Sequence, residues 1–352
     1  MVSSSAKYSI FRGIIVVLVV ISIGFAVMSS SPLSSGQVVN RAAMVTDGSI
    51  DDNGWGLLHY KGLLALKDEL GFEIALSELL PPAEWETAPR SYAENQYDYV
   101  LLAGGQFTTI AAKIAPDYPD TTFIVTAAAP PAEGTSFPSN MIGIDLMNEQ
   151  SAYLGGILAA GMTKTNKIGA IGGIDFPYLL RWNEAFKLGA VTQNPNVTIF
   201  EAYTGSFEDV SRGYEATRGQ IDAGADVIWH NLDLGAVGVV NALKESPGVW
   251  LISNTNDQSF LAPEVTLTST LQNMTNLILN GVKGVESGTL SGGEFHRWGI
   301  KEGAAGLAPY HQTEGMIPAD LKAKIEDLKI QMTNGTFTVP LIYERDGYRN
   351  YT

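Results

Sequence analysis

The hydrophobic and polar positions of this chain alternate in a regular way. Short apolar runs at residues 38–46, 97–105 and 121–129 have the length and composition of strands, and residues 57–70 place apolar side chains at helical spacing. The same alternation of strand and helix continues as far as residue 254. Strand–helix–strand units at this spacing predict parallel sheets covered by helices. Because the units are too many for one sheet of ordinary size, we predict an α/β fold with two doubly wound, Rossmann-like lobes.

Polar or glycine-rich segments follow the predicted strands. They are residues 47–55, 103–108, 172–182, 204–209, 230–235 and 253–258. In parallel α/β sheets, ligands bind beyond the carboxyl ends of the strands. Two lobes whose loops face each other would enclose a cleft, which is typical of a binding protein.

The amino terminus has a different pattern. Lys7 and Arg12 precede an uncharged apolar run at residues 13–28, and a serine-rich stretch follows at residues 29–36. As a helix the run spans about 24 Å, which is shorter than a hydrocarbon core of about 30 Å but longer than a signal-peptide core of about 7–15 residues. A cleaved signal peptide and an uncleaved membrane anchor both fit this length. In either case the basic flank stays inside, so we predict that the chain after residue 36 is extracytoplasmic.

Composition excludes several classes of protein. The chain of 352 residues has 37 acidic and 22 basic side chains and a formal net charge of −15, so we expect no binding to nucleic acid. The absence of cysteine excludes disulfides, thiolate nucleophiles, cysteine-ligated zinc and a lipid-modified amino-terminal cysteine. The chain has no P-loop, no G-x-S-x-G motif and no H-E-x-x-H motif. We therefore predict a protein that is not an enzyme and that has no cofactor, metal site or catalytic residue.

Several segments, in their order and spacing, resemble one known family. They are residues 51–63, 151–173, 179–190, 205–209, 224–233 and 256–270. Across about residues 38–340 the chain resembles the basic-membrane-protein family of ABC-importer substrate-binding proteins. The resemblance implies the type I periplasmic-binding-protein fold, in which the chain crosses between two lobes three times. It also implies a purine base or nucleoside as ligand, the permease and ATPase subunits of an ABC transporter as partners, and a monomer.

The resemblance also suggests lobe boundaries. Residues 1–36 would form the signal peptide or membrane anchor, a hydrophobic helix followed by the serine-rich linker. The amino-terminal lobe would comprise residues 37–144 and 258–290, and the carboxy-terminal lobe residues 145–257 and 291–345. The three crossings are expected near Asp145, Asp257 and Leu290.

Aromatic residues in the loops are candidates for holding a planar ligand. The resemblance places Phe207 where relatives have an aromatic ring against the purine, and it places Trp55 where a subgroup carries Trp. Stacking on an aromatic ring is worth about 1–3 kcal/mol per base. Tyr60 falls at a further aromatic position, where packing in the core is an equal alternative.

Polar ligand contacts are expected from the remaining candidates. They are Asp51, Asp52, Asn53, Gly105, Arg181, Asp233 and Asp257. The acids can accept hydrogen bonds from purine N–H or ribose O–H groups. Arg181 has an alternative role in pairing with a carboxylate, and Asp257 has one in stabilising the hinge.

Departures from the family bear on the ligand. Positions that carry ribose-binding charges in relatives align with Ala127, Thr255 and Gln272. Because an unpaired buried polar group costs about 1–3 kcal/mol, we expect a free base or another planar, less hydroxylated ligand. Two alternatives stay open: a binding protein for another small solute, such as a sugar or an amino acid, and a surface nucleoside-processing enzyme. The enzyme would use the Asp51 and Asp52 pair for acid–base chemistry, although adjacent acids at this point also fit a helix cap.

Overall fold

The structure is a computed structural model that describes residues 39–175 and 177–352, without the side chains of Pro177 and Tyr178. Val39–Thr352 forms one compact unit. The predicted hydrophobic helix, the signal peptide or anchor and the serine-rich linker lie outside the described residues. Among the helices of the described part, none combines the length and the apolar character that a membrane span requires.

Strands and helices alternate along the described chain. In chain order, strands β1 to β12 are Arg41–Val45, Glu73–Ser77, Tyr99–Ala103, Thr122–Thr126, Met141–Leu146, Lys167–Gly172, Thr198–Tyr203, Val227–Asn231, Trp250–Thr255, Thr266–Gln272, Phe295–Trp298 and Ala305–Leu307. Helices α1 to α9 are Trp55–Leu70, Thr87–Glu94, Thr108–Ile114, Asn148–Met162, Pro177–Gln193, Val210–Asp222, Ala236–Lys244, Met274–Glu286 and Ala319–Asn334.

The first sheet has the order β11-β5-β4-β3-β1-β2, and its paired strands are all parallel. Successive side chains point to opposite faces of a strand. Leu101 of β3 therefore lies in the core layer of α1 and α8, whereas Leu102 lies in the layer that includes Ile114 of α3. Because helices cover both faces, β3 is buried along its whole length. We call this sheet with its helices the first lobe.

The second sheet has the order β12-β10-β9-β8-β6-β7 and is parallel except for the pair β10 and β12. On one face, the Trp229 ring of β8 stacks on Phe186 of α5 with ring centroids 4.5 Å apart. On the other face, Ile228 packs in a layer with Val239 of α7. This sheet and its helices form the second lobe. Two mostly parallel sheets, each covered by helices, confirm the predicted α/β fold.

The chain passes between the lobes at points that differ from two of the predicted crossings. It enters the second lobe after β5, returns to the first lobe through α8 after β10, and leaves it again between β11 and β12. The crossing predicted near Asp257 is wrong because β10, which follows it, pairs in parallel with β9 of the second sheet. The crossing predicted near Leu290 is wrong because β11 pairs with β5 of the first sheet. Residues 258–272 therefore belong to the second lobe, and residues 291–298 belong to the first.

Candidate functional site

The loop between β1 and α1 places a carboxylate at a helix terminus. Asp52 accepts hydrogen bonds from the backbone N–H groups of Gly54 at 2.8 Å, Gly56 at 2.7 Å and Leu57 at 3.1 Å. The first N–H groups of a helix have no partner within the helix, and the helix dipole favours a negative charge there. Asp52 therefore caps α1, as the sequence pattern allowed.

Three carboxylates from the two lobes converge at this helix terminus. One carboxylate oxygen from each of Asp52, Glu208 and Asp233 lies within 4.8 Å of the other two. Asp52 belongs to the first lobe, whereas Glu208 follows β7 and Asp233 follows β8 of the second lobe. We call these three residues the closure cluster. Oxygen ligands of this kind suit a cation such as Ca²⁺, but the Asp52 oxygens already accept three hydrogen bonds from the backbone of α1.

Direct contacts between the lobes surround the closure cluster. A side-chain carbon on Gly54 would overlap the carboxylate of Asp233, so this contact requires glycine on the first lobe. Beside it, Asn256 Nδ2 of the second lobe donates to the backbone oxygen of Asn53 at 3.1 Å. The loops of the two lobes are therefore in contact at the carboxyl ends of both sheets.

The closure cluster is electrostatically unfavourable when all three groups are charged. Burial raises the pKa of Asp233 well above its usual range, and the charges of Asp52 and Glu208 raise it further. Only the backbone N–H of Trp55 opposes this rise. The pKa of Glu208, whose side chain is exposed, is also raised, by partial desolvation and by the charge of Asp52. Two like charges at such a separation repel by about 1–4 kcal/mol, depending on the local dielectric, so a proton or a donor-bearing group stabilises the contact.

The aromatic candidates Trp55 and Phe207 lie on opposite lobes. Trp55 begins α1, packs on the core of the first lobe and donates from Nε1 to the backbone oxygen of Ala103 at 3.4 Å. Phe207 packs against the core of the second lobe, and its ring lies directly on Gly173, where any side chain would collide with it. Each ring is partly buried and supported by its own lobe.

Strained backbone marks the same edges of the two sheets. Asn53, Leu79 and Ala127 follow strands of the first sheet and have φ values of 55°, 56° and 50°. Thr255, the last residue of β9 in the second sheet, has φ 75°, a rare value for a β-branched residue. Such conformations cost about 1–3 kcal/mol each and cluster at functional sites. Four of the eight non-glycine residues with positive φ in the described part therefore lie at the edges where the lobes face each other.

Comparison with known proteins decides the family. The family model of PnrA-like ABC transporter substrate-binding proteins matches residues 39–342. The chain belongs to this family. Substrate-binding proteins of ABC importers act outside the cytoplasm and interact with the permease of the importer.

Two relatives and one solved structure match nearly the whole chain, and one of these relatives has the name of a transcriptional activator. Basic membrane protein A of Borreliella afzelii is 27% identical over 332 residues, which cover 91% of this chain and 96% of the relative. Transcriptional activator protein med of Bacillus subtilis is 25% identical over 303 residues, which cover 86% and 91%. The structure of an ABC transporter system solute-binding protein from Aeropyrum pernix K1 superposes with a TM-score of 0.76 at 22% identity, covering 88% and 96%. The family and the periplasmic-binding-protein fold predicted from the loop segments are confirmed.

In this substrate-binding protein, Arg181 takes part in a buried group of charges at the hinge. Its guanidinium pairs with both oxygens of Asp145, at 2.7 and 2.6 Å, and donates to the backbone oxygen of Leu146 at 2.8 Å. Arg297 of β11 pairs with Asp145 at 3.0 Å and with Glu149 of α4 at 2.5 Å. We call Asp145, Glu149, Arg181 and Arg297 the hinge cluster. The alternative role of Arg181, pairing with a carboxylate, is the one that the contacts support.

The Asp257 carboxylate contacts groups of the second lobe. Asp257 Oδ2 lies 2.6 Å from His311 Nε2, and Oδ1 accepts from the backbone N–H of Ser259 at 3.1 Å. Burial alone would raise its pKa, but the hydrogen bonds from Ser259 and His311 outweigh burial and lower it. Its position supports a structural role within the lobe, and its part in ligand binding stays a prediction.

The remaining candidates occupy the first lobe near the cluster. Asp51 is exposed, and its backbone N–H donates to Ser49 Oγ at 3.1 Å. Tyr60 packs against the core of the first lobe, which agrees with the core alternative. Gly105 follows β3 and approaches the backbone oxygen of Ala127 so closely that a side chain would collide with it.

Two residues near the site were not among the sequence candidates. Glu208 stands beside Phe207 in the same loop, so its acidity was visible, but the sequence does not show that it meets Asp52. His59 Nδ1 donates to the backbone oxygen of Trp55 at 2.8 Å, and its Nε2 lies 2.7 Å from Thr126 Oγ1. Burial lowers the pKa of His59 to about 4, so the neutral ring holds the first turn of α1 against β4.

Proposed function

We propose that this chain binds a purine base or nucleoside between its two lobes and delivers it to the permease and ATPase subunits of an ABC importer. The observation that carries the proposal is the pair Trp55 and Phe207, two aromatic rings on opposite lobes beside the closure contacts. Each ring is supported by its own lobe. A planar ligand between two such rings would gain about 1–3 kcal/mol from each stacked face.

The polar groups beside these rings suit a ligand that donates hydrogen bonds. Asp233 and Glu208 offer carboxylate oxygens, which accept N–H groups, and both pKa values are raised. A purine ring carries N–H donors along its edge, and such donors relieve the repulsion between the carboxylates. This complementarity supports a purine more than a solute that offers only acceptors.

A free base fits the chain better than a nucleoside. The positions aligned with ribose-binding charges of relatives are Ala127, Thr255 and Gln272, and all three are buried. None of them carries a charge, and two are strained backbone positions at the sheet edges. A ribose would therefore place hydroxyl groups without charged partners, at a cost of about 1–3 kcal/mol for each unsatisfied group.

Titration of the purified protein with a solute panel tests the proposal. The panel contains purine bases, their nucleosides, sugars and amino acids, and calorimetry measures each affinity. We expect Trp55→Ala to weaken purine binding at least tenfold, about 1.4 kcal/mol, because one stacked face is lost. Because the Trp55 ring also packs on the first lobe, circular dichroism of the ligand-free variant verifies that it remains folded. Tyr351→Ala, at an exposed ring near the chain terminus, is the matched control and should bind as the unmodified protein does.

Unchanged affinity in Trp55→Ala would contradict the stacking role. Tight binding of a sugar or an amino acid, with none of a purine, would replace the proposed ligand while leaving the family assignment intact. Turnover of a nucleoside that is lost in Asp52→Asn would instead support the surface enzyme.

Attachment of the protein to the cell is part of the same proposal. Residues 13–28 would serve as an uncleaved membrane anchor or as a cleaved signal peptide ahead of the lobes. The intact mass of the protein recovered from membranes distinguishes the two, since cleavage removes the apolar run. We further propose that the protein acts as a monomer, as is usual for this architecture.

A further inference from the structure

The closure cluster places a carboxylate of one lobe at the helix terminus of the other. Asp233 of the second lobe lies against Gly54, and the backbone N–H of Trp55 at the start of α1 faces its carboxylate. The positive end of the helix dipole attracts this carboxylate across the lobe boundary. Closure of the lobes therefore brings Asp233 to a site that favours an acceptor.

Two negative groups oppose the same contact. Asp52 already caps α1 with its own carboxylate, and Glu208 approaches from the loop after β7, so three acids share a space less than 5 Å wide. When the lobes separate, Asp52 parts from Glu208 and Asp233, so the repulsion that Asp52 contributes disappears, whereas Glu208 and Asp233 stay together on the second lobe. The backbone N–H of Trp55 attracts Asp233 whether or not its carboxyl group is charged, because both forms offer an acceptor oxygen. Asp52 and Glu208 repel Asp233 only when its carboxyl group is charged.

Neighbouring elements provide no basic side chain to balance these acids within the described residues. Arg212 of α6 pairs with Asp209 at 3.4 Å and donates to the backbone oxygen of Thr204 at 2.9 Å. Helix α1 has Lys61 in its second turn, with an exposed side chain, and Lys67 in its last turn, and α7 has Lys244 in its last turn. None of these lysines forms an ion pair with the cluster in the described part of the chain. Neither helix has an acid in its first turn. Asp52 and Glu208 are therefore the charges that act on Asp233 in the closed form.

We propose that closure of the two lobes takes up a proton at the closure cluster, so that the protein closes more readily as the pH falls. The protonated Asp233 keeps an oxygen for the Trp55 N–H and no longer repels Asp52 and Glu208. Because the closed form binds more protons than the open form, rising pH shifts the population towards the open form. The proposal rests on lobe closure in a substrate-binding protein and is independent of which solute is bound.

Distance measurement in the full chain tests this device without any solute. The chain contains no cysteine, so Leu79→Cys and Phe260→Cys introduce one specific label on each lobe. These side chains are 64% and 71% exposed, and labels there disturb no core. Double electron–electron resonance between two spin labels then reports the separation of the lobes at about pH 5.5 and about pH 8, with circular dichroism to verify folding.

We expect a shorter distance at the lower pH in the otherwise unmodified protein. Asp233→Asn keeps the shape and the acceptor but loses the charge, so it should give the short distance at both pH values. Glu215→Gln, an exposed acid on α6, makes the same change of net charge and should keep the pH-dependent shift. Glu208→Gln is a second variant at an exposed side chain, and its shift should be smaller.

A distance that does not depend on pH, or an undiminished shift in Asp233→Asn, would overturn the proposal. If Asp233→Asn does not fold, an undiminished shift in Glu208→Gln overturns it in the same way. Failure of the purine panel with an intact shift would reject the proposed ligand alone. Purine binding without any shift would reject proton uptake alone.

Discussion

The hinge cluster and the closure cluster both join the two lobes, but they differ in charge balance. The hinge cluster contains two carboxylates and two guanidinium groups, and Arg181 and Asp145 within it are almost fully buried. The closure cluster contains three carboxylates and has no ion pair among the described residues. Paired charges favour one fixed arrangement, because separating them would leave buried charges without partners. Like charges favour separation until a proton or a ligand intervenes. The first cluster therefore suits a pivot, and the second suits a contact that forms conditionally.

The largest expected effect comes from removing a cation at the hinge. Arg181→Met leaves Asp145 and Glu149 buried with one guanidinium between them, and we expect a loss of about 3–5 kcal/mol in the free energy of unfolding. Urea denaturation measures this loss. Lys283→Met removes an exposed partner of Glu69, at 3.1 Å, and should cost no more than about 1 kcal/mol. Equal losses in the two variants would show that the hinge cluster contributes no more than a surface pair.

The pH dependence of folding should have the opposite sign to that of closure. Burial lowers the pKa of His59 to about 4 and that of His230 to about 3, so both stay neutral in the folded protein. In the unfolded chain they bind protons below about pH 6.5. Their stabilising contribution is complete above that pH and decreases as the pH falls towards 4, by about 1.4 kcal/mol per pH unit for each histidine.

Urea denaturation between about pH 7.5 and about pH 5 measures this slope. His59→Gln should reduce the slope, whereas Asp233→Asn should leave most of it unchanged. A stability that is flat over this range would contradict the assignment of neutral buried rings. The two variants thus distinguish protonation of a buried histidine, which opposes folding, from protonation of Asp233, which favours closure of the lobes.

A smaller effect is expected from adding a methyl group at the contact between Gly54 and Asp233. In Gly54→Ala the new methyl group would overlap the Asp233 carboxylate, so the lobes cannot approach fully. We expect solute binding to weaken about tenfold, about 1.4 kcal/mol, with little change in the melting temperature of the free protein. Gly219→Ala on α6 is the matched control, since its methyl group would meet no atom within 4 Å. Binding that is equally strong in both variants would argue against direct contact of the lobes in the bound form.

The periodic pattern predicted most of the strands and helices, but it did not predict which sheet each strand joins. Strand β3 is apolar along its whole length and was recognisable, because a strand buried on both faces needs no alternation. Strand β10, with the sequence TLTSTLQ, is buried but rich in threonine and serine, so it gave little hydrophobic signal. The crossing near Asp257 was expected from the resemblance, and the local pattern of β10 contained nothing to contradict it. Which sheet accepts a strand depends on neighbours distant in sequence, and no local pattern contains that information.

In the candidate site, too, the sequence indicated contacts between neighbouring residues but not contacts between residues distant along the chain. The capping role of Asp52 can be predicted from a short stretch of sequence, because the N–H groups that donate hydrogen bonds to it lie within five positions of it. Arg181 was correctly given a carboxylate partner as an alternative, but its partner Asp145 lies on another lobe. Glu208 was not selected because an exposed acid in an acidic loop has no distinguishing local feature.

The sequence by itself determined the order of strands and helices, the glycine-rich and acidic loops at their ends, and the family. These properties depend on the spacing of side chains along a short stretch of backbone. Only the tertiary structure decided that Asp145 and Arg181 form a balanced pair at the hinge while Asp52, Glu208 and Asp233 form an unbalanced group at the closure contact. Electrostatic energy depends on distances through space and on burial, and both arise only when the lobes fold and meet.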